Sequence, residues 1–163
     1  MEVEGLLNVA IFIIVCAVVF FTLKGQDKAR YDERQEMIRN RGFKYGFYTM
    51  LGVLGCYLFL NTTDIKISAT ILAWGVGVIG ALVACLYQIL NGAYFSLTEK
   101  HPVLFGILFL IVGGANLATT IQQFSMHLSV EDIVPSCGLA VFLVLLGGAI
   151  LYRQYRDRAE SDK

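Results

Sequence analysis

Charged residues are scarce in this sequence, and their scarcity narrows the class of protein. Only 16% of the 163 residues are charged whereas 56% are hydrophobic, and the formal net charge at pH 7 is zero. An average soluble domain carries about 25% charged residues. The composition therefore excludes a basic nucleic-acid-binding domain, a disordered tail and a secreted disulfide scaffold, and it predicts an integral membrane protein.

Ionisable groups are also missing from the interior of every long apolar run, which argues against several kinds of membrane chemistry. Proton pumps and ion-coupled carriers need such groups at membrane depth. The two histidines, His101 and His127, fall on opposite predicted faces and have no ligand-spaced companions. Neither a metal centre nor a histidine-activated nucleophile is indicated, so we expect no enzymatic activity, no cofactor and no metal ion.

Cysteine pairs are absent as well. Cys16, Cys56, Cys85 and Cys137 lie one in each of four apolar runs, and no Cys-x-x-Cys motif occurs. Isolated thiols in such runs behave as small packing residues. Cys56 and Cys137 both fall in the predicted outer half of the membrane, where oxidation is permitted, and the sequence leaves open whether they pair.

Five uncharged runs have about the 20 residues that a helix needs to cross a bilayer. They comprise residues 5–23, 43–60, 67–90, 102–121 and 135–152, with Lys44 just inside the second run. The acidic opening Met1–Glu4 and the length of the first run favour a retained helix over a cleaved signal peptide. Pro102 and Pro135 stand at the first positions of two runs, where proline is tolerated, and are predicted to start those helices.

The basic residues predict the orientation of the five spans. Twelve of the 13 Lys and Arg residues fall on one side, and only Lys66 falls on the other. Because basic residues are retained on the cytoplasmic side of short loops, the amino terminus is expected outside and the carboxyl terminus in the cytoplasm. We therefore predict one all-α membrane domain, residues 1–163, that crosses the cell membrane five times, with a cytoplasmic helical segment at 24–42 and a cytoplasmic tail at 153–163.

Small and polar residues inside the runs predict how the helices pack. The third run carries a stripe of small residues at four-residue intervals, Ala69, Ala73, Gly77, Ala81 and Cys85, and shorter small-residue pairs occur at Gly42/Gly46 and Gly114/Ala118. Such residues allow close helix approach in lipid, within one chain or in a homodimer. Asn116, Thr119 and Thr120 are candidates for an interhelical hydrogen bond or for the lining of a small polar cavity.

The segment before the second run concentrates the chain's charges. It contains no proline and many good helix formers, so we expect a helix with a pause at Gly42. Anionic head groups attract basic residues, which explains the arginines of this segment. The same head groups would repel the neighbouring carboxylates, which therefore need another explanation. The candidate partner-binding residues are the consecutive side chains Asp32, Glu33, Arg34, Gln35 and Glu36.

The residues Tyr31-Asp32-Glu33-Arg34-Gln35, followed by Phe43-Lys44-Tyr45-Gly46-Phe47, resemble the signature of a family of small multi-span membrane proteins of Gram-positive bacteria with a DERQ-type cytoplasmic motif. The resemblance covers about twenty residues and the general layout of spans. Members are commonly encoded beside a small helix-turn-helix regulator, which implies a membrane partner or sensor for that regulator. The resemblance implies no enzymatic activity.

The leading hypothesis is a non-enzymatic bacterial inner-membrane protein that docks or senses a cytoplasmic protein, such as a helix-turn-helix regulator, without binding nucleic acid directly. An alternative hypothesis is a subunit for transport of, or resistance to, a small molecule, with a weakly polar cavity at Asn116, Thr119 and Thr120. A third is a membrane enzyme that uses Tyr31, Glu33 and Glu36, although these residues have no histidine or metal companion.

Overall fold

Four α-helices make up almost all of the chain that the computed structural model describes, which is residues 31–60, 62, 67–97 and 101–161. Helix α1 spans Glu33–Leu60, α2 spans Ala69–Leu90, α3 spans Pro102–Ser125 and α4 spans Val130–Ser161. The described residues contain no strand. The all-α prediction is confirmed for this part of the chain, whereas the predicted first span, 5–23, lies outside the described residues.

All four helices are long and apolar enough to cross a membrane. They contain 28, 22, 24 and 32 residues, which corresponds to lengths of about 42, 33, 36 and 48 Å at the α-helical rise. The hydrocarbon core of a bilayer is about 30 Å thick. The second to fifth predicted runs therefore coincide with helices of sufficient length, and α1 and α4 are longer than a crossing requires.

Local sequence explains where the helices begin. Ser68 caps α2, because its side chain accepts a hydrogen bond from the Ile71 amide at 3.4 Å. Ser129 caps α4 in the same way and accepts from the Asp132 amide at 3.3 Å. Pro102 occupies the first turn of α3, as predicted, where a missing amide hydrogen costs nothing.

Two expectations about helix boundaries are wrong. Pro135 does not start a helix, because α4 already begins at Val130 and contains the proline in its second turn. The capping Ser129 sets this earlier start, and Pro135 removes only the amide hydrogen that would bond the carbonyl group of Glu131. The expected pause at Gly42 is also absent, since α1 is continuous from Glu33 to Leu60.

The helices pack in the order α1, α2, α4, α3, and among the described residues α1 and α3 have no contact with each other. α1 and α2 form one antiparallel hairpin, α3 and α4 form a second, and α2 meets α4 at the seam between the hairpins. Ile89 of α2 with Leu146 and Ile150 of α4 form the buried core of that seam. The start of α1, the end of α2, the start of α3 and the end of α4 lie together at one end, which we call the near end.

Glycine permits the closest approach within each hairpin. A Cβ atom on Gly46 of α1 would lie 2.7 Å from the carbonyl oxygen of Gly80 in α2. A Cβ atom on Gly147 of α4 would lie 2.8 Å from the carbonyl oxygen of Gly106 in α3. Both distances are too short for any side chain. Van der Waals contact between backbones therefore holds α1 against α2 in one hairpin and α3 against α4 in the other.

Candidate functional site

The near end concentrates the polar contacts that join different helices. Asp32 stands directly before α1, and its Oδ1 atom accepts a hydrogen bond from the Gln35 amide at 2.6 Å. The carbonyl group of Asp32 also accepts from the Glu36 amide at 3.0 Å. Asp32 is therefore the N-cap of α1, and its negative charge lies at the positive end of the helix dipole.

Gln35 connects α1 to the loop that follows α2. Its Nε2 atom donates to the carbonyl oxygen of Gly92 at 3.1 Å. Gly92 adopts a φ of 73°, a left-handed conformation that suits glycine. One turn further along α1, the carbonyl oxygen of Arg39 accepts from Nε2 of Gln88 at 3.4 Å. The start of α1 is thus attached both to α2 and to its exit loop.

Arg153 of α4 approaches the same loop. Its Nη1 atom donates to the carbonyl oxygen of Leu90 at 2.9 Å, and its Nε atom pairs with Oδ2 of Asp157 at 2.9 Å. A Cβ atom on Gly92 would lie 3.2 Å from Nη2 of Arg153. The last residue of α2, Leu90, is therefore held by Arg153 from α4, and Gly92 in the loop that follows is held by Gln35 from α1.

Tyrosines surround this junction. The guanidinium group of Arg39 lies 4.0 Å from the ring centroid of Tyr31, within cation–π distance. Burial raises the pKa of the Tyr94 hydroxyl above its usual range, and neighbouring Cys85 and Tyr31 raise that pKa further. Tyr94 also helps line a cavity of about 160 Å³ whose polar side is formed by Arg153, Gln154 and Asp157.

The five predicted partner-binding residues therefore separate into two groups. Asp32 and Gln35 make hydrogen bonds that define the start of α1 and its attachment. Glu33, Arg34 and Glu36 have exposed side chains. Glu36 also contributes, with Arg39, Asn40 and Phe43, to a shallow groove on the outer face of α1. The exposed group is the part of the motif that can contact another molecule.

The polar residues of α3 bond within their own helix. Nδ2 of Asn116 donates to the carbonyl oxygen of Val112 at 2.8 Å, and the hydroxyl groups of Thr119 and Thr120 each donate to the carbonyl oxygen of Asn116 at 2.8 Å. Thr120 is buried, Asn116 is half-buried and Thr119 is exposed. These three residues do not line the cavity beside Tyr94, the groove on the outer face of α1 or the cavity between α2 and α4.

The small-residue stripe of α2 does not face α1. Gly42 and Gly46 of α1 are buried, as predicted, but they pack against Gly80, Ala84 and Gln88, a neighbouring row on α2. On the predicted stripe, Ala69, Ala73 and Gly77 are exposed, whereas Ala81 and Cys85 are half-buried. The four-residue spacing of Gly80, Ala84 and Gln88 was the signal that sequence reasoning missed. Gly114 and Ala118 of α3 are exposed.

Cys56 is exposed and Cys137 half-buried, and both are free thiols on helices that do not contact each other. Within the described residues, no group of three or more His, Cys, Asp or Glu side chains is arranged to hold a metal ion.

Four long apolar helices arranged as two hairpins define a membrane-embedded helical protein. Comparison of the chain with models of protein families, with curated proteins and with solved structures finds no match.

Proposed function

We propose that this chain is a non-enzymatic protein of the bacterial inner membrane that docks a cytoplasmic protein at its near end. In this proposal residues 5–23 add a first span, so the chain crosses the cell membrane five times. The near end faces the cytoplasm and the amino terminus lies outside. Twelve of the 13 Lys and Arg residues then lie on the cytoplasmic side, which is the distribution that the positive-inside rule requires.

The observation that carries the proposal is that two helices extend past their predicted spans at the same end. Residues 33–42 of α1 and 153–161 of α4 continue the two helices beyond their apolar runs, by about 15 and 14 Å respectively at the α-helical rise. Gln35 and Arg153 attach the two extensions to Gly92 and to Leu90, at the end of α2 and in the loop that follows it. A surface that is already ordered loses little conformational entropy when it binds a partner.

The charges on these extensions suit a protein partner better than a lipid surface alone. Glu33 and Glu36 are exposed on α1, and anionic head groups would repel them. A basic surface attracts them, and the DNA-contacting face of a helix-turn-helix regulator is basic. Docking of such a regulator here would compete with its binding to DNA. This class of partner follows from the resemblance of Tyr31 to Gln35 to the DERQ-type motif.

The test is cross-linking capture from native membranes, followed by identification of the captured proteins. The wild-type chain is compared with a Glu33→Lys/Glu36→Lys variant, because both residues are exposed and neither caps α1. Glu131→Lys serves as the control, since Glu131 is exposed in the first turn of α4, at the opposite end. All variants are compared at equal membrane abundance.

The proposal expects a basic DNA-binding protein that the wild-type chain and the Glu131→Lys control recover and that the double variant loses at least tenfold. Recovery should weaken as salt is raised, because charge complementarity contributes to binding. Equal recovery from all three chains, or recovery of no DNA-binding protein, would refute the proposal.

A further inference from the structure

An open apolar groove lies between α2 and α4. Its floor is formed by small residues of α2, and its volume is about 370 Å³. The lining residues are Ala73, Trp74, Gly77, Val78 and Ala81 of α2 with Leu139 and Phe142 of α4. Ala73 and Gly77 are exposed, and a Cβ atom built on Gly77 meets no other atom within 4 Å.

The floor of the groove has the geometry that helices use to pack in lipid. Ala73, Gly77 and Ala81 recur every four residues along α2, and small residues at this spacing allow a second helix to approach closely. The two other small-residue surfaces described above, at Gly46 and Gly147, each hold a neighbouring helix. In contrast, a Cβ atom on Gly77 meets no atom of another described helix within 4 Å.

The chain contains a further segment that fits this groove. Residues 5–23 are 19 uncharged residues rich in Ile, Val, Leu and Phe, a number that corresponds to a helix of about 28 Å. Nine residues, 24–32, separate them from the first residue of α1. These nine residues reach about 30 Å when extended. Since α1 packs on α2 and the groove borders α2, the distance to be bridged is at most about two interhelical spacings of 8–10 Å, which nine residues can span.

We propose that residues 5–23 form a helix that packs into the groove between α2 and α4, parallel to α2, with bulky side chains over Gly77. The segment is tethered to the molecule, so its effective concentration exceeds that of a second copy in the membrane. Neither the segment nor the groove lining contains a charged residue, so the contact requires no desolvation of charge. This inference rests on the proposed first span and is independent of partner docking.

Disulfide mapping in membranes tests this contact. In a chain whose four native cysteines are replaced by alanine, Gly77→Cys is combined with a single cysteine at each position from 10 to 17. After oxidation, trypsin cleaves the chain after the basic residues between positions 24 and 44. A disulfide then keeps the amino-terminal fragment attached to the fragment that contains α2. We expect the amino-terminal fragment to stay attached to the α2 fragment of the same chain. Attachment should be strongest for cysteines that recur every three or four positions between 10 and 17, because these lie on one face of a helix.

Gly114→Cys in place of Gly77→Cys is the matched control, because a Cβ atom on Gly114 of α3 also meets nothing within 4 Å. Attachment with Gly77→Cys that is at least fivefold stronger than with Gly114→Cys supports the proposal. Disulfides that form between two chains at Gly77 would overturn it in favour of a second copy. Attachment no stronger than in the control would overturn it in favour of lipid.

A second pair of variants repeats the test without cysteines. Gly77→Leu and Gly114→Leu each add a side chain where the described helices leave space. We expect Gly77→Leu alone to lower the midpoint of thermal unfolding in detergent, because it displaces residues 5–23. Equal midpoints for the two variants would contradict the proposal, whereas capture of a partner through Glu33 and Glu36 reports separately on the proposed function.

Discussion

Gln35 and Gly92 are joined by a side-chain hydrogen bond of 3.1 Å across 57 positions of sequence. Arg153 donates to the carbonyl oxygen of Leu90, the last residue of α2, at 2.9 Å. The end of α2 and the loop that follows it therefore receive bonds from α1 and from α4, two helices that have no direct packing contact among the described residues. The position of each charged helix extension depends on this loop.

The capping role of Asp32 gives the first prediction. Asp32→Ala removes the acceptor for the Gln35 amide and should destabilise the start of α1 by about 1 kcal/mol. Amide hydrogen exchange at Gln35 and Glu36 should accelerate about fivefold. Asp32→Ser, which retains a capping oxygen, should restore slow exchange. Equal exchange in wild type and Asp32→Ala would show that the cap does not stabilise this turn.

A double-mutant cycle tests the shared loop. Gln35→Ala and Arg153→Met should each cost about 1 kcal/mol, the usual value of a hydrogen bond. Because both residues bond to positions 90–92, their effects should couple by at least about 0.5 kcal/mol in SDS titrations of the folded protein. Gln122→Ala, at an exposed position of α3, should be additive with Arg153→Met. Strict additivity of Gln35→Ala and Arg153→Met would contradict the coupling.

Adjacent glycines in α4 provide an internally controlled prediction. Gly147→Ala places a Cβ atom 2.8 Å from the Gly106 carbonyl oxygen and should destabilise the α3/α4 hairpin by about 1–3 kcal/mol. Gly148→Ala meets no atom within 4 Å and should be neutral or stabilise the helix by up to about 1 kcal/mol. SDS titration of both variants measures the difference, and an equal loss of stability in both would exclude the close contact.

Tyr94 predicts how stability changes in alkaline solution. Burial raises the pKa of Tyr94 in the folded chain, so the folded state retains the phenolic proton at a pH where the unfolded state releases it. The contribution of protonated Tyr94 to the free energy of unfolding is fully present below the tyrosine pKa of the unfolded chain, about 10. It is lost as the pH rises through the higher pKa of Tyr94 in the folded chain. Tyr94→Phe should flatten the fall in unfolding free energy above about pH 10.

Tyrosinate absorbance at 295 nm, recorded during the same pH titration, identifies the group. The wild-type chain should show a late phase of tyrosine titration that the Tyr94→Phe chain lacks. Identical alkaline titrations of the two chains would remove Tyr94 as the cause.

The sequence was sufficient to predict that the described part of the chain is helical and where its four long helices lie, because uncharged runs of about 20 residues have few other structures available in lipid. Boundaries were less predictable. The true start of α4 depends on Ser129, a cap that lies six residues before Pro135. The start of α1 depends on Asp32. In the sequence Asp32 is one of several neighbouring charged residues, but in the structure its carboxylate accepts a hydrogen bond from the helix backbone.

The contacts of the candidate site could not be predicted in the same way. Small residues at four-residue spacing form two neighbouring rows on α2, one through Gly77 and one through Gly80. Only the three-dimensional packing shows that Gly46 contacts the row through Gly80. The acceptors at Leu90 and Gly92 are backbone carbonyl groups. Because every residue has a carbonyl group, residue identity contains no sign of those two bonds.

The order α1, α2, α4, α3 has a consequence for synthesis. Each hairpin contains its own glycine contact, so α1 and α2 can associate before α3 has left the ribosome. Among the described residues, the two halves meet along the α2/α4 seam, at the loop that Arg153 contacts and where the ring of Phe95 packs on Phe105. Two separately expressed polypeptides, divided between residues 97 and 101, should therefore reassemble in the membrane as a complementing pair.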